Sequence, residues 1–277
     1  MIYVIDKCFN YALQHNRVLV IGPPDTWIDG ELSQYFFFDH PQIFKGHLKD
    51  FQQKERGRNL TIFPPGLTRN LVVRSAYSVR DNCYKMFDQR NNLTLNSMSF
   101  DVAYNEDVVV YCNCYGGVSE TAIFHMKLAE HVRETYFRRL HDISLEDKEY
   151  VSVHVRNTDR QCSLAQFMDQ NKKILDSAPT IFLATDDVHT IALFKKKYAA
   201  KLKHFAKITE NTGKNMHYYY DKTKLSNKEL VTDALVDLLL LASGKQYIFS
   251  TIESNFSLLA KHLFENEPLL TRILYST

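Results

Sequence analysis

Nowhere does the sequence approach the roughly 18 consecutive apolar residues that a membrane-crossing helix needs. Its longest such run, "LVDLLLLA" from Leu235 to Ala242, is interrupted by Asp237. The N-terminus has no signal-peptide layout, because Asp6 and Lys7 break "MIYVI" too early. Charge of one sign is also missing: 34 Lys and Arg against 32 Asp and Glu leave a net +2. A protein that grips duplex nucleic acid by its phosphates needs a strongly basic face, so no nucleic-acid partner is expected. Cysteine is sparse. The five residues (Cys8, Cys83, Cys112, Cys114 and Cys162) are odd in number and lack zinc-ligand spacing, since Cys112 and Cys114 form C-x-C and not C-x-x-C. Free thiols in a reducing compartment follow. The expected location is cytoplasmic, or the Golgi lumen if an anchor precedes Met1. No internal repeat or low-complexity tract occurs. What is plentiful is apolar: 45% of the 277 residues, with 18 Phe and 16 Tyr. That supports a sizeable core, in one large domain or two lobes of about 100–150 residues.

The first half is irregular. Ile2, Ile5, Phe9, Ala12 and Leu13 recur at helical spacing, so the chain is expected to start in an amphipathic helix. "RVLVIG" and "DVVVYCN" read as strands, ended by Gly22-Pro23-Pro24 and Gly116-Gly117. Phe124, Leu128, Val132, Tyr136 and Leu140 mark one stripe of a helix expected over 119–140. The second half is regular. Strands are expected at 151–155, 180–184, 204–208 and 246–250, alternating with helices near 164–176, 188–200, 227–243 and 254–265. Such alternation implies βαβ units and a parallel sheet. Ser226-Asn-Lys-Glu229 is a capping box that fixes the start of the third of these helices. The expected division is 1–146 and 147–277.

Ligands bind beyond the carboxyl ends of strands in open parallel sheets. There the first strand runs into His154, Arg156, Asn157, Thr158, Asp159 and Arg160, and the second into Thr185, Asp186 and Asp187. The fourth is followed by Glu253, Ser254 and Asn255 at a helix start, whose N–H groups suit an anionic group. Arg156 adds a bidentate clamp for the same anion. The implied ligand is a nucleotide diphosphate. Each piece has a plainer reading beside it: Ser254 and Asp187 as helix caps, His154 as a satisfied core histidine. Asp237 differs, because Val236 and Leu238–Leu241 surround it on a helix that should be buried. A buried carboxylate without donors is costly, so a base or a neighbouring side chain must serve it.

These segments carry a resemblance. "VSVHVRNTDR", "TIFLATDD" and "ALVDLLLLASGKQYIFSTIESNFS" resemble, in order and spacing over about 148–265, three motifs of the fucosyltransferase-like superfamily. The nearest branch looks like the α1,6-fucosyltransferases of core N-glycan and nodulation-factor type. The resemblance implies an α/β, GT-B-like fold with two Rossmann-like lobes, an acceptor side over 1–146 and a donor side over 147–277. It implies inverting transfer of fucose from GDP-fucose to a glycan hydroxyl, with no metal and no cofactor beyond the donor. Carried over, His154 and Asp237 recognise guanine, and Arg156 binds the β-phosphate and stabilises departing GDP. Thr185, Asp186 and Asp187 line the donor site, Ser254 and Asn255 meet the diphosphate, and Thr158, Asp159 and Arg160 shape the loop.

The sequence departs from that pattern at several points. Relatives carry a second Arg where Asn157 stands, and Arg160 replaces a Lys. The Glu proposed as their general base falls near Leu164, which takes no proton, leaving Glu253 as the candidate base. Met1 falls just past the point where relatives carry a glycine-rich phosphate loop, which implies either a site without that loop or a start upstream. Rival readings are a different nucleotide sugar on the same fold, a catalytically dead nucleotide- or glycan-binding module, and a Mg²⁺ phosphoryl-transfer site at Asp159, Asp186 and Asp187. No P-loop accompanies the last.

Overall fold

A computed structural model describes residues 2–22, 32–67, 71, 73–78, 83–88, 91–112, 120–144, 149–157, 162–207, 226–250 and 254–276. The chain forms two compact units, one built on the N-terminal helix and Phe36–Lys127, the other on Leu128–Thr277.

The first unit begins with helix α1 (Ile2–Gln14), which buries Ile2, Ile5, Phe9 and Ala12 as its periodicity dictates. Within the same helix Asp6 is fully buried, and its Oδ1 accepts the N–H of Ala122 at 2.5 Å. Strand β1 (Phe36–Phe38) and helix α2 (Leu48–Lys54) follow. β2 (Ile62–Phe63) pairs in parallel with β6 (Val108–Val109), the core of the expected "DVVVYCN" strand. Between them, β3 (Arg74–Ser78), β4 (Cys83–Asp88) and β5 (Leu93–Leu95) form an antiparallel sheet. "RVLVIG" makes only an isolated bridge, Leu19 to Ile43.

The long helix expected over 119–140 divides. Ile123–His125 is a short 3-10 turn, β7 spans Met126–Leu128, and α3 runs from Glu130 to Ser144. Asp6 captures the Ala122 N–H, and the His125 carbonyl accepts from Asp39 N–H at 2.9 Å, which draws this stretch into extended backbone. Phe124 consequently stands 46% exposed, while Val132, Tyr136 and Leu140 keep the buried stripe of α3.

The second unit carries β8 (Tyr150–Val155), α4 (Leu164–Gln170), α5 (Lys172–Ser177), β9 (Thr180–Thr185), α6 (Val188–Tyr198) and β10 (Leu202–Lys203). After these come α7 (Asn227–Ser243), β11 (Gln246–Phe249), α8 (Asn255–Glu265) and α9 (Glu267–Tyr275). The four strands form one parallel sheet ordered β10-β9-β8-β11. The strand expected at 204–208 does not form over the described residues 204–207: the short β10 precedes it, its ladder stops at Lys203, and Phe205 turns its ring against Phe182.

β8 is buried along its whole length because both faces are covered. Val151, Val153 and Val155 join Ile181 and Leu183 in a core with Phe167, Met168, Leu175, Ile191 and Phe194 of α4 to α6. Each such side chain contributes about 1.5–3 kcal/mol by leaving water. On the other face Tyr150 Oη and Ser152 Oγ each donate to a carbonyl of α7, at Leu240 and Leu241, both at 2.6 Å. Gly244, closing α7, permits this approach: a Cβ there would lie 2.9 Å from Ser152 Oγ and 3.1 Å from the Tyr150 carbonyl. The start of α7 is set by the Ser226–Glu229 capping box. Among the described residues, no helix is long and apolar enough to cross a membrane.

Candidate active site

In chain order the four strands read 3-2-1-4 across the sheet, so connections leave β8 in one direction and return beside it through α7 to β11. The carboxyl ends of β8 and β11 therefore flank a topological switch point, where such sheets open a crevice. The sequence places its polar clusters at these ends.

The three strand ends are tied to one another. Arg156 N–H donates to Ser250 Oγ at 3.1 Å, and Ser250 N–H donates to the His154 carbonyl at 3.0 Å, which locks β8 to the end of β11. On the other side Asn157 N–H donates to Asp186 Oδ1 and Asn157 Nδ2 to Asp187 Oδ2, each at 2.8 Å. Asn157 Oδ1 then accepts the Cys162 N–H at 3.0 Å. An arginine here could donate to the carboxylates but could not accept from Cys162, so the amide braces the loop by chemistry that a guanidinium lacks.

Asp187 is the N-cap of α6. Its carboxylate accepts from His189 N–H, Thr190 N–H, the Thr190 hydroxyl and Asn157 Nδ2, and it is 1% exposed. Thr185, also buried, accepts the Asp187 N–H through Oγ1 at 3.2 Å. Ser254 is fully buried as the N-cap of α8 and accepts the Ser257 N–H. The backbone of the α8 start, with exposed Asn255 at its first turn, is what this end offers an anion. His154 holds Ser257 Oγ on Nδ1 at 2.6 Å, and its ring lies 5.0 Å from Phe256. Burial, assisted by nearby Arg156, pushes the His154 imidazole down to about 3, so it is neutral at ordinary pH.

Asp237 lies on α7, where Leu241 four residues later meets Ser152 of β8. At 1.5 Å per residue this sets Asp237 about 6 Å nearer the sheet's carboxyl edge. Arg139 of α3 is ion-paired with Asp233, and its Nη1 stands 3.7 Å from Asp237 Oδ1. Both of those facing atoms are buried without a hydrogen-bond partner. Burial raises the Asp237 carboxyl to about 7, with Arg139 opposing the rise and Asp233 adding to it.

Arg156, Asn157, Asp186, Asp187, Thr185, His154 and Ser254 thus meet along one sheet edge. Thr158, Asp159, Arg160 and Glu253 lie outside the described residues. Leu164, the first residue of α4, packs on the core. Sequence reasoning missed Ser250, Ser257 and Arg139. The two serines carry no sequence signal beyond proximity to Ser254. Asp237 on a buried helix demanded a donor but could not say that Arg139, 98 positions earlier in the sequence, would face it. Among the described residues, no group of three or more His, Cys, Asp and Glu side chains is arranged to hold a metal ion.

The fold is α/β and GT-B-like, as expected, and it is shared with a fucosyltransferase. The NodZ α-1,6-fucosyltransferase soaked with GDP-fucose matches over 94% of this chain and 87% of its own, with TM-score 0.62 at 18% identity. The same enzyme co-crystallised with GDP matches over the same shares, with TM-score 0.61 at 16% identity. The selenomethionine form of NodZ from Bradyrhizobium also gives 0.61 at 16% identity, again covering 94% and 87%. At such identities the likeness is one of fold. No family model matches the chain, and no curated protein does.

Proposed function

We propose that this protein is an inverting glycosyltransferase that moves fucose from GDP-fucose to a glycan hydroxyl, without a metal. One observation carries the reading: the switch point between β8 and β11, in a fold shared with a fucosyltransferase, is ringed by Arg156, the α8 start and the Asn157–Asp186 brace. In the proposed reaction an acceptor hydroxyl attacks the anomeric carbon, the bond from that carbon to the β-phosphate oxygen breaks, and GDP departs. The hydroxyl proton passes to a base, for which Glu253 is proposed. Arg156 and the α8 N-terminus stabilise the charge that grows on the diphosphate, the interaction that strengthens most in the transition state. His154 and Asp237 hold the base, Thr158, Asp159 and Arg160 shape the loop, and the second unit holds the donor. A carboxylate that already accepts from four donors, as Asp187 does from α6 and Asn157, is poorly disposed toward a cation, which supports the metal-free route.

Titration calorimetry with GDP, UDP and ADP, with and without EDTA, followed by turnover of GDP-fucose on a glycan acceptor panel, tests this reading. Tight GDP binding that survives EDTA, with transfer, is expected. Preference for UDP discards fucose as the donor sugar, strict metal dependence discards the metal-free route, and binding without turnover makes the protein a nucleotide-binding module.

A further inference from the structure

The Arg139–Asp233–Asp237 cluster joins α3 to α7 within the second unit, and of its three members only Asp237 has a role in the reading above. Arg139 is held on two sides: Asp233 pairs with Nη2, and the Phe205 ring lies 4.6 Å beneath the guanidinium. Its Nη1 is thereby presented to Asp237 at 3.7 Å, too far for a hydrogen bond and close enough to favour a charged carboxylate. Asp237 Oδ1 is sealed on this side, while the Asp237 side chain as a whole keeps 16% of its surface exposed. α7 also packs against α8 and α9, which carry Lys261, His262, Glu265, Glu267 and Arg272, none of which acts on Asp237. β8 presents Tyr150, Ser152 and neutral His154 on this face, β9 presents Phe182, and the charges that act on Asp237 are Arg139 from α3 and Asp233 from α7 itself.

We propose that Arg139 is a positioning residue for the base-reading end of the nucleotide site, fixing the Asp237 carboxylate in place and in its charged form so that it can accept the paired N–H donors on one edge of guanine. This rests on the nucleotide-site reading above. Adenine has no such pair of adjacent donors, so a charged, oriented carboxylate is what separates the two purines. Arg139 touches no ligand in this scheme and acts through Asp237 alone.

The test is calorimetric titration of GDP, IDP and ADP, from pH 6 to 8.5, on the full chain and on its Arg139→Gln and Arg139→Lys variants. In the unaltered protein GDP affinity should rise as pH passes about 7, where Asp237 ionises. IDP, which lacks the exocyclic amine, should bind more weakly than GDP. In Arg139→Gln the midpoint of that rise should move up by about one pH unit, GDP affinity at pH 7 should fall about fivefold, and the preference for GDP over ADP should shrink. Arg139→Lys should recover part of each, and kcat at saturating donor should change less than KM. GDP binding whose pH profile and base preference are unaltered in Arg139→Gln overturns this proposal and leaves the nucleotide site standing. An unaltered protein that binds no guanine nucleotide overturns both. Carbon-13 NMR titration of the Asp237 carboxyl in ligand-free protein gives a third reading: a midpoint that does not move in Arg139→Gln overturns the positioning role whatever the nucleotide does.

Discussion

At the rim of the sheet Asp187 accepts four hydrogen bonds, whereas between α3 and α7 Asp237 Oδ1 accepts none. Both carboxylates belong to the same unit and lie near the same crevice. The first is spent on structure: it caps α6 and, with Asp186, grips the loop that carries Arg156. The second is left under-served beside an arginine, its carboxyl raised to about 7, a state retained where a group is needed for something other than stability. Satisfied polar groups at the rim build the site, and the unsatisfied one is the better candidate for reading a ligand.

The largest expected effect tests what the rim is for. Arg156→Ala should lower kcat about 10²–10³-fold with little change in melting temperature, checked by steady-state kinetics beside thermal denaturation. Asn157→Ala should do the reverse in kind, costing about 1–3 kcal/mol of stability in urea titration because donors and acceptors at the strand ends lose their partner. His154 sharpens the contrast by pH. Its imidazole titrates near 6.5 when exposed and near 3 in the fold, so below 6.5 the unfolded chain binds a proton that the native one refuses. Stability should therefore fall with pH across that window, by at most about 1.4 kcal/mol per unit, and His154→Gln should flatten the fall. Asp237→Asn gives the smallest change and the opposite sign. The native carboxyl keeps its proton up to about 7 while the unfolded one releases it near 3.8, so the native state loses ground as pH rises between these values. Asp237→Asn should relieve that loss, leaving the protein as stable or up to about 1 kcal/mol more stable above pH 7, measured by urea denaturation. A destabilised Asp237→Asn would break the comparison.

The second unit was legible in the sequence because its strands are buried on both faces and its helices announce their caps. Tyr150–Val155, Thr180–Thr185 and Gln246–Phe249 fall within a residue or so of the strands expected from apolar runs, and Ser226, Asp187 and Ser254 cap the helices that follow. The first unit was not, since β2 and β6 span only two half-buried residues each, and periodicity needs length to register. The apolar stripe through Phe124 and Leu128 misled because a buried acid, Asp6, takes the Ala122 N–H from more than a hundred residues away. At the site, the residues at the strand ends were readable from topology, while Ser250, Ser257 and Arg139 were not, because their partners are set by side chains meeting across the sheet and between helices.

The strand order has a consequence for how the crevice comes into being. One wall is stitched early, since Asn157 and Asp187 are 30 residues apart. The other waits for contacts of far greater separation, 94 residues between Arg156 and Ser250 and 103 between His154 and Ser257. Closing such long loops is entropically costly and slow. A chain cut after Ser243 keeps β8, β9 and β10 yet has no opposing wall, so under the proposed function nucleotide binding would gauge whether the last 34 residues have docked.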